Sequence, residues 1–218
     1  VCSSDLNTSS WTTAILSIER NSLAASSLYE TGKIFFAGGV NQNGMTNIID
    51  IYNNGIWTTA SLSSNRMKIA STAISHLGLI FFGGGENEET VFSSLDIFNN
   101  MNNSWSLYNM NTARSRCAAT SLPKLGLVFF AGGRDINYQD LESIEIFDTS
   151  NNKFYPAYLS SPRSELLAAS IISQNKVFFI SGQSAQFNTL SYKNVIDYQS
   201  TYIVSGRNRL TRNPKKTD

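Results

Sequence analysis

The stretch Arg66-Met67-Lys68-Ile69-Ala70-Ser71-Thr72-Ala73-Ile74, followed after a short turn by Leu79-Ile80-Phe81-Phe82-Gly83-Gly84-Gly85, decides the fold, because its plan is used four times. Paired glycines close the same apolar run at Gly38-Gly39, Gly84-Gly85 and Gly132-Gly133, and Ser181-Gly182 stands in the fourth place. Arg20, Arg66, Arg114 and Arg163 each lie nineteen residues before the closing glycine. Trp11, Trp57, Trp105 and Phe154 each lie nine residues before the arginine. Two spacings held constant over four copies mark a structural repeat, which is settled before any local pattern is read. The period drifts from 46 to 48 to 49 residues, and the gap between the glycines and an acidic mark at Asp50, Asp96, Glu145 and Asp197 lengthens from 11 to 15. Insertions gather in surface loops, so that gap is a loop.

Each repeat reads as four short strands. The first is small, apolar and rich in Ala (Leu23 to Leu28, Ile69 to Ile74, Cys117 to Leu122, Leu166 to Ile172), which suits a crowded place. The second is a continuous apolar run (Ile34 to Ala37, Leu79 to Phe82, Leu127 to Ala131, Val177 to Ile180), as in a strand covered on both faces. The third sets the acidic residue among apolar ones, the alternation of a half-buried strand. The fourth begins at the aromatic, after Asn-rich turns such as Asn53-Asn54-Gly55. No helical period appears. Four antiparallel strands per unit of this length predict all-β propeller blades, which bury their faces against neighbours, with small side chains inside and large aromatics at the rim. The glycines serve backbone conformations or close approaches that a Cβ would obstruct.

The blades are expected at 19–62, 65–110, 113–159 and, in degraded form, 162–206, with 11–18 as the last strand of a preceding blade. Residues 1–10 are a flanking segment whose first six, Val1 to Leu6, look like a translated sequencing adapter, and 207–218 is a basic tail. Either Trp11 completes the last unit and closes a four-bladed ring, or the chain is an arc of a longer propeller. The arc is favoured, and it leaves two apolar blade faces uncovered.

Composition narrows the function. Charged residues make up 15% of the 218, against about 25% in ordinary chains, and the 31 Ser and 23 Asn supply polarity instead. A net charge of +1 leaves no broad basic footprint for nucleic acid, since the tail carries +4 and residues 1–206 sum to −3. No run is long enough to span a bilayer as a helix, and Cys2 and Cys117 are too few for a disulfide framework. The compartment stays open, the cytoplasm being the default reading.

The arginine, the small apolar strand, the aromatic run into Gly-Gly, the acidic-apolar-aromatic strand and the spaced Trp together resemble kelch repeats, over residues 11 to about 200. The fourth copy departs at Ser181, at Phe154 and in having no Trp after Asp197. The resemblance implies a propeller of usually about five to seven blades and a face that takes partner proteins, acidic peptides among them. Relatives resembling galactose oxidase carry copper, but that site needs paired histidines, and His76 in a turn is the one histidine here. No metal, cofactor or catalytic pair is expected. Cys117 reads as a small buried hydrophobe, and Gly83-Gly84-Gly85-Glu86 lacks the Lys-Ser or Lys-Thr of a phosphate loop.

What remains is one face. The loops after the glycines, Val40 to Thr46, Glu86 to Ser93, Arg134 to Glu142 and Gln183 to Tyr192, differ in length and charge and share that face with the mouths of the inner strands. Varied loops on a repeated scaffold point to recognition. The expected contact set is Arg20, Arg66, Arg114 and Arg163 at the mouths, with Asn41, Asn43, Glu86, Glu88, Arg134, Asp135, Tyr138 and Gln183 in the loops. The arginines have a second reading, as hydrogen-bond donors to blade-end carbonyls. The acidic loops have one as solvated loops. The expected function is a non-enzymatic module that binds a protein or peptide, as a monomer or as part of a larger multidomain chain. The alternative is a sugar binder resembling sialic-acid mutarotases, marked by an axial pocket of Arg and Glu.

Overall fold

The computed structural model describes residues 2–5, 10–186, 189–192 and 196–200. The basic tail and Leu6 lie outside the described residues. The chain opens with a hairpin, β1 (Cys2–Asp5) against β2 (Ser10–Thr13), in which Ser4 faces Trp11. Residues 2–5, set aside above as foreign to the fold, are therefore paired. Trp11 does not complete the last sheet, and unlike the other repeat aromatics it is exposed.

Each repeat forms one antiparallel sheet, and the sheets have the form of propeller-like blades. The first consists of β3 (Ala24–Leu28) and β4 (Lys33–Ala37), then β7 (Ile48–Asn53) and β8 (Ile56–Ser61), with the small hairpin β5 (Val40–Asn41) and β6 (Gly44–Met45) inserted after the glycines. The second is β9 (Ala70–Ile74), β10 (Leu79–Gly83), β11 (Ser94–Asn99) and β12 (Ser104–Asn109). The third is β13 (Ala118–Leu122), β14 (Leu127–Ala131), β15 (Ser143–Asp148) and β16 (Lys153–Tyr158). The fourth has three strands, β17 (Leu167–Ile171), β18 (Lys176–Ile180) and β21 (Ile196–Ser200), with the hairpin β19 (Gln183–Gln186) and β20 (Thr189–Tyr192) inserted after Gly182. Among the described residues no β-pairing joins the fourth sheet to the first. Between first and second strands the later blades turn through single 3-10 turns, Ser75–Leu77, Pro123–Leu125 and Ile172–Gln174, and His76 is exposed in one of them.

The core lies between blades. Period 2 sends alternate side chains of the second strand to opposite faces. Phe35 and Ala37 pack with Ile80 and Phe82 of the next blade. Phe81 packs with Val128 and Phe130, and Phe129 and Ala131 pack with Val177 and Phe179. The rim aromatics close these gaps: Trp105 stands 5.1 Å from Phe98, and Phe154 stands 5.0 Å from Phe147. The third strand is not half-buried as expected: in β11 every residue from Ser94 to Phe98 is buried, the acid included.

The glycine pair has one job at each junction. The second glycine donates its N–H to the arginine carbonyl of the next blade, Gly39 to Arg66 at 2.9 Å, Gly85 to Arg114 at 2.9 Å and Gly133 to Arg163 at 2.8 Å. That carbonyl sits over the first glycine. A Cβ on Gly38 would lie 2.5 Å from the Arg66 oxygen, and one on Gly84 or Gly132 would meet the Arg114 or Arg163 oxygen closer still. The glycine that closes one repeat is thus bonded to the arginine of the next.

Candidate functional site

The four arginines do not ring an open face. Each side chain is fully buried and is paired with the acid of its own blade: Arg20 with Asp50 at 2.7 Å, Arg66 with Asp96, Arg114 with Glu145 at 3.6 Å, and Arg163 with Asp197. At Arg20 and Arg114 further guanidinium protons go to strand-end carbonyls, and at Arg66 they go to Ser94 Oγ and the Phe82 carbonyl. Arg20 Nε donates to Gly38 (2.7 Å) and Nη2 to Phe36 (2.9 Å), while Arg114 Nη1 donates to Gly132 (2.8 Å) and Ser143 (2.9 Å). Each acid also accepts the backbone N–H of the connection entering its blade, from Ser17, Ser63, Thr112 and Ser160 at 3.1, 3.0, 2.9 and 3.2 Å. Burial pulls Arg66 and Arg114 below the ordinary guanidinium value, opposed at Arg66 by Asp96 and at Arg114 by Cys117 and Glu145. Each pair is a clip that fixes geometry, although the Nε of Arg66, Arg114 and Arg163 meets no hydrogen-bond acceptor among the described residues. These residues hold blade to linker, and their side chains, expected in the contact set, are buried in the arrangement that the structural reading describes.

Two places beyond the arginines stand residues of another kind, of which Lys68, Arg116 and Glu165 line a hollow. Ser22, Lys68, Arg116 and Glu165 all hold left-handed backbone, at φ 55°, 54°, 55° and 53°. They are joined blade to blade by backbone bonds, Lys68 N–H to Ser22 at 3.1 Å, Arg116 N–H to Lys68 at 3.2 Å and Glu165 N–H to Arg116 at 2.9 Å. Four consecutive non-glycine residues in a conformation that costs roughly 1–2 kcal/mol each are kept there by the surrounding junctions. The side chains of Lys68, Arg116 and Glu165 build a charged cluster around Glu86. Lys68 and Arg116 each reach Glu86 Oε1 at 3.2 Å, Arg116 reaches Glu165 at 3.0 Å, and Ser115 Oγ donates to Glu86 Oε2 at 2.6 Å. Burial pushes the Glu86 carboxyl up, but the bonds from Ser115, Arg116 and Lys68 outweigh it and hold it below the usual carboxylate range. For Arg116, burial is outweighed by Glu86 and Glu165, and its value rises. A hollow of about 270 Å³ opens here, lined by Lys68, Ile69, Arg116, Cys117, Glu165 and Leu166. Apolar packing pushes the Cys117 thiol up to about 11, so it is no nucleophile at neutral pH.

Glu86 is thus buried and paired, where the loop reading had it solvated. Sequence reasoning also missed Lys68, Arg116 and Glu165. The available signal was a position that changes as Ser, Lys, Arg, Glu while both flanks of the repeat hold steady.

The loops stand beside this mouth. Asn21, Met67, Ser115 and Ser164, next to the ring residues, bridge to Val40, Glu86, Arg134 and Gln183, the first residues after the glycines. Each loop is a small tied hairpin. Asn41 is half-buried and accepts the Asn43 N–H at 2.8 Å, leaving Asn43 exposed. Glu88 and Glu89 are exposed, and Gln183 is half-buried. The third loop is the most tightly built. Arg134 Nε holds Asp140 at 3.0 Å, and Asp135 Oδ1 accepts the N–H groups of Asn137 and Gln139, both at 2.9 Å. Between these ties Ile136 is 52% exposed and Tyr138 is 68% exposed, the latter at φ 59°. Among the described residues no group of three His, Cys, Asp or Glu is placed to hold a metal ion, and no helix is long and apolar enough to cross a membrane. No protein-family model matches the chain, and no curated protein matches it either.

Proposed function

We propose that the chain is a kelch-type propeller segment that acts without catalysis, its loop-bearing face binding a partner protein or peptide. The observation that supports this best is the loop 134–140, in which two large apolar-aromatic side chains are held out to solvent by an ion pair and an Asp-centred turn. A Tyr or Ile with that much surface is a cost to a solitary chain and an anchor to a bound one, and prior rigidity lowers the ordering entropy of association. The neighbouring tips, Asn43 and Glu88-Glu89, supply polar and acidic contacts around the anchors. The test is selection of a random peptide library on the immobilised chain, with Ile136→Ser/Tyr138→Ser as the comparison. Selected peptides should lose at least about tenfold in affinity on the double variant, the loss of one hot-spot residue. Peptides that bind both proteins alike defeat the reading.

A second reading, a small anionic sugar held at the mouth, draws on the Arg and Glu in the lining of the hollow. It ranks lower because the bases there already bond to Glu86 and Glu165, and the hollow falls below the ~300 Å³ at which ligand pockets begin. Calorimetry with N-acetylneuraminic acid decides it: heat that Arg116→Ala abolishes supports the sugar, and its absence leaves the peptide face.

A further inference from the structure

We propose that the outer face of the fourth blade is shaped to refuse another blade of this repeat, including the first blade of a second copy of the chain. Leu167, Ile180 and Ser181 set that refusal. The three junctions within the chain share one design at their closest approach. Ala24 faces Ala37 across the register, Ala70 faces Gly83 and Ala118 faces Ala131, and the first glycine of the pair follows in each case. All of these are small because the next blade arrives there. A Cβ on Gly83 would stand 2.5 Å from the Phe130 ring, and a Cβ on Gly38 would stand 2.5 Å from the Arg66 carbonyl oxygen.

In the fourth blade the same places hold Leu167 facing Ile180, followed by Ser181. All three are larger than their counterparts. Ser181 keeps its Cβ at φ 60°, a backbone that glycine adopts without penalty. Leu167 is 69% exposed, whereas Ala24, Ala70 and Ala118 are 6%, 5% and 7% exposed.

Elsewhere the free face of the first blade carries what a junction uses. The first blade turns outward Ile34, Phe36 and Trp57, the counterparts of Ile80, Phe82 and Trp105, which pack against a preceding blade. No backbone donor among the described residues reaches the Arg20 carbonyl, the counterpart of the acceptors at Arg66, Arg114 and Arg163. A head-to-tail contact between copies is a heterologous one that generates rings or open filaments. Its apolar surface and its acceptor are in place, and its obstacles are steric. The Arg20 oxygen would meet the Ser181 Cβ, and the Phe36 ring would meet Ile180.

The test is sedimentation velocity over a concentration series on the full chain, on Leu167→Ala/Ile180→Ala/Ser181→Gly, and on each with Ile34→Lys added to the free side of the first blade. The triple variant is expected to sediment as two chains or longer assemblies, and Ile34→Lys is expected to return it to the native size. The native chain is expected to show no association that Ile34→Lys removes. Ile34→Lys-sensitive association in the native chain, or none in the triple variant, overturns the proposal. Should circular dichroism show the triple variant to be unfolded, Leu167→Ala/Ile180→Gly/Ser181→Gly, which copies the second blade, takes its place with the same two outcomes.

Discussion

The middle blades and the outer blades are written in the same code and differ in what lies beside them. Ile80 in the second blade is 0% exposed, and Ile34, at the same place in the first, is 37% exposed. Ile74 is 0% exposed, and its counterpart Ile171 in the fourth blade is 40% exposed. The strand sequences are close to interchangeable, so a blade's core is a property of the junction. A single sheet has two apolar faces and no interior, which is why such units are stable only in series.

The largest effect should separate a clip sealed between blades from one near the edge. Asp96→Ala strands the buried Arg66 guanidinium and the Ser63 N–H, and is expected to cost about 3–5 kcal/mol in urea unfolding, the usual loss when one partner of a buried pair is removed. Asp197→Ala in the fourth blade, where the carboxylate keeps 19% of its surface, should cost about 1–3 kcal/mol. Equal losses would mean that the junction does not govern the clip. Next in size is the strand itself. Ile80→Ala is expected to cost about 2–5 kcal/mol and Ile34→Ala under about 1 kcal/mol, although the residue and the repeat position are the same.

Most of the fold was legible because its signals are local and periodic. The runs into the glycines fixed the second strands to within a residue. The partnership of arginine and acid was not legible, since it spans 30 to 34 residues across a loop of changing length, and the two marks drift apart along the chain. The mouth cluster was hidden for a different reason. Lys68, Arg116 and Glu165 read as ordinary polar residues, and their left-handed backbone is tied by bonds between blades. The loops were read correctly as the variable part, but which side chains their tips hold outward follows from Asx turns whose bonds no spacing reveals.

The glycine positions give a smaller and opposite pair of effects. Gly84→Ala adds a left-handed backbone penalty of roughly 1–2 kcal/mol and drives a Cβ into the Arg114 carbonyl, so a loss of at least about 2 kcal/mol is expected. Ser181→Gly removes the same backbone penalty at a place where no described blade follows, and should be neutral or gain up to about 1 kcal/mol. Measured on chains kept dilute enough to stay single, this pair isolates the contact from the conformation.

The smallest effect separates two acids of one loop. Glu86 is held below the usual carboxylate range by its bonds to Ser115, Arg116 and Lys68, so the unfolded chain binds a proton there more readily than the folded one. The stability this contributes is fully present above the unfolded carboxylate value of about 4.3, and it is lost as pH falls through the lower folded value. Glu86→Gln removes the titration, so its urea midpoint should lie below the native one at neutral pH, and the gap should close as pH falls through that window. Glu88, exposed two residues further on, has no place in that cluster, and Glu88→Gln should leave the urea midpoint at neutral pH where it is. If the gap at Glu86→Gln stays constant with pH, the cluster acts through shape alone. If it closes, the charges at the mouth are coupled to the junction between the second and third blades, and a ligand that competes for Arg116 would have to weaken that junction to bind.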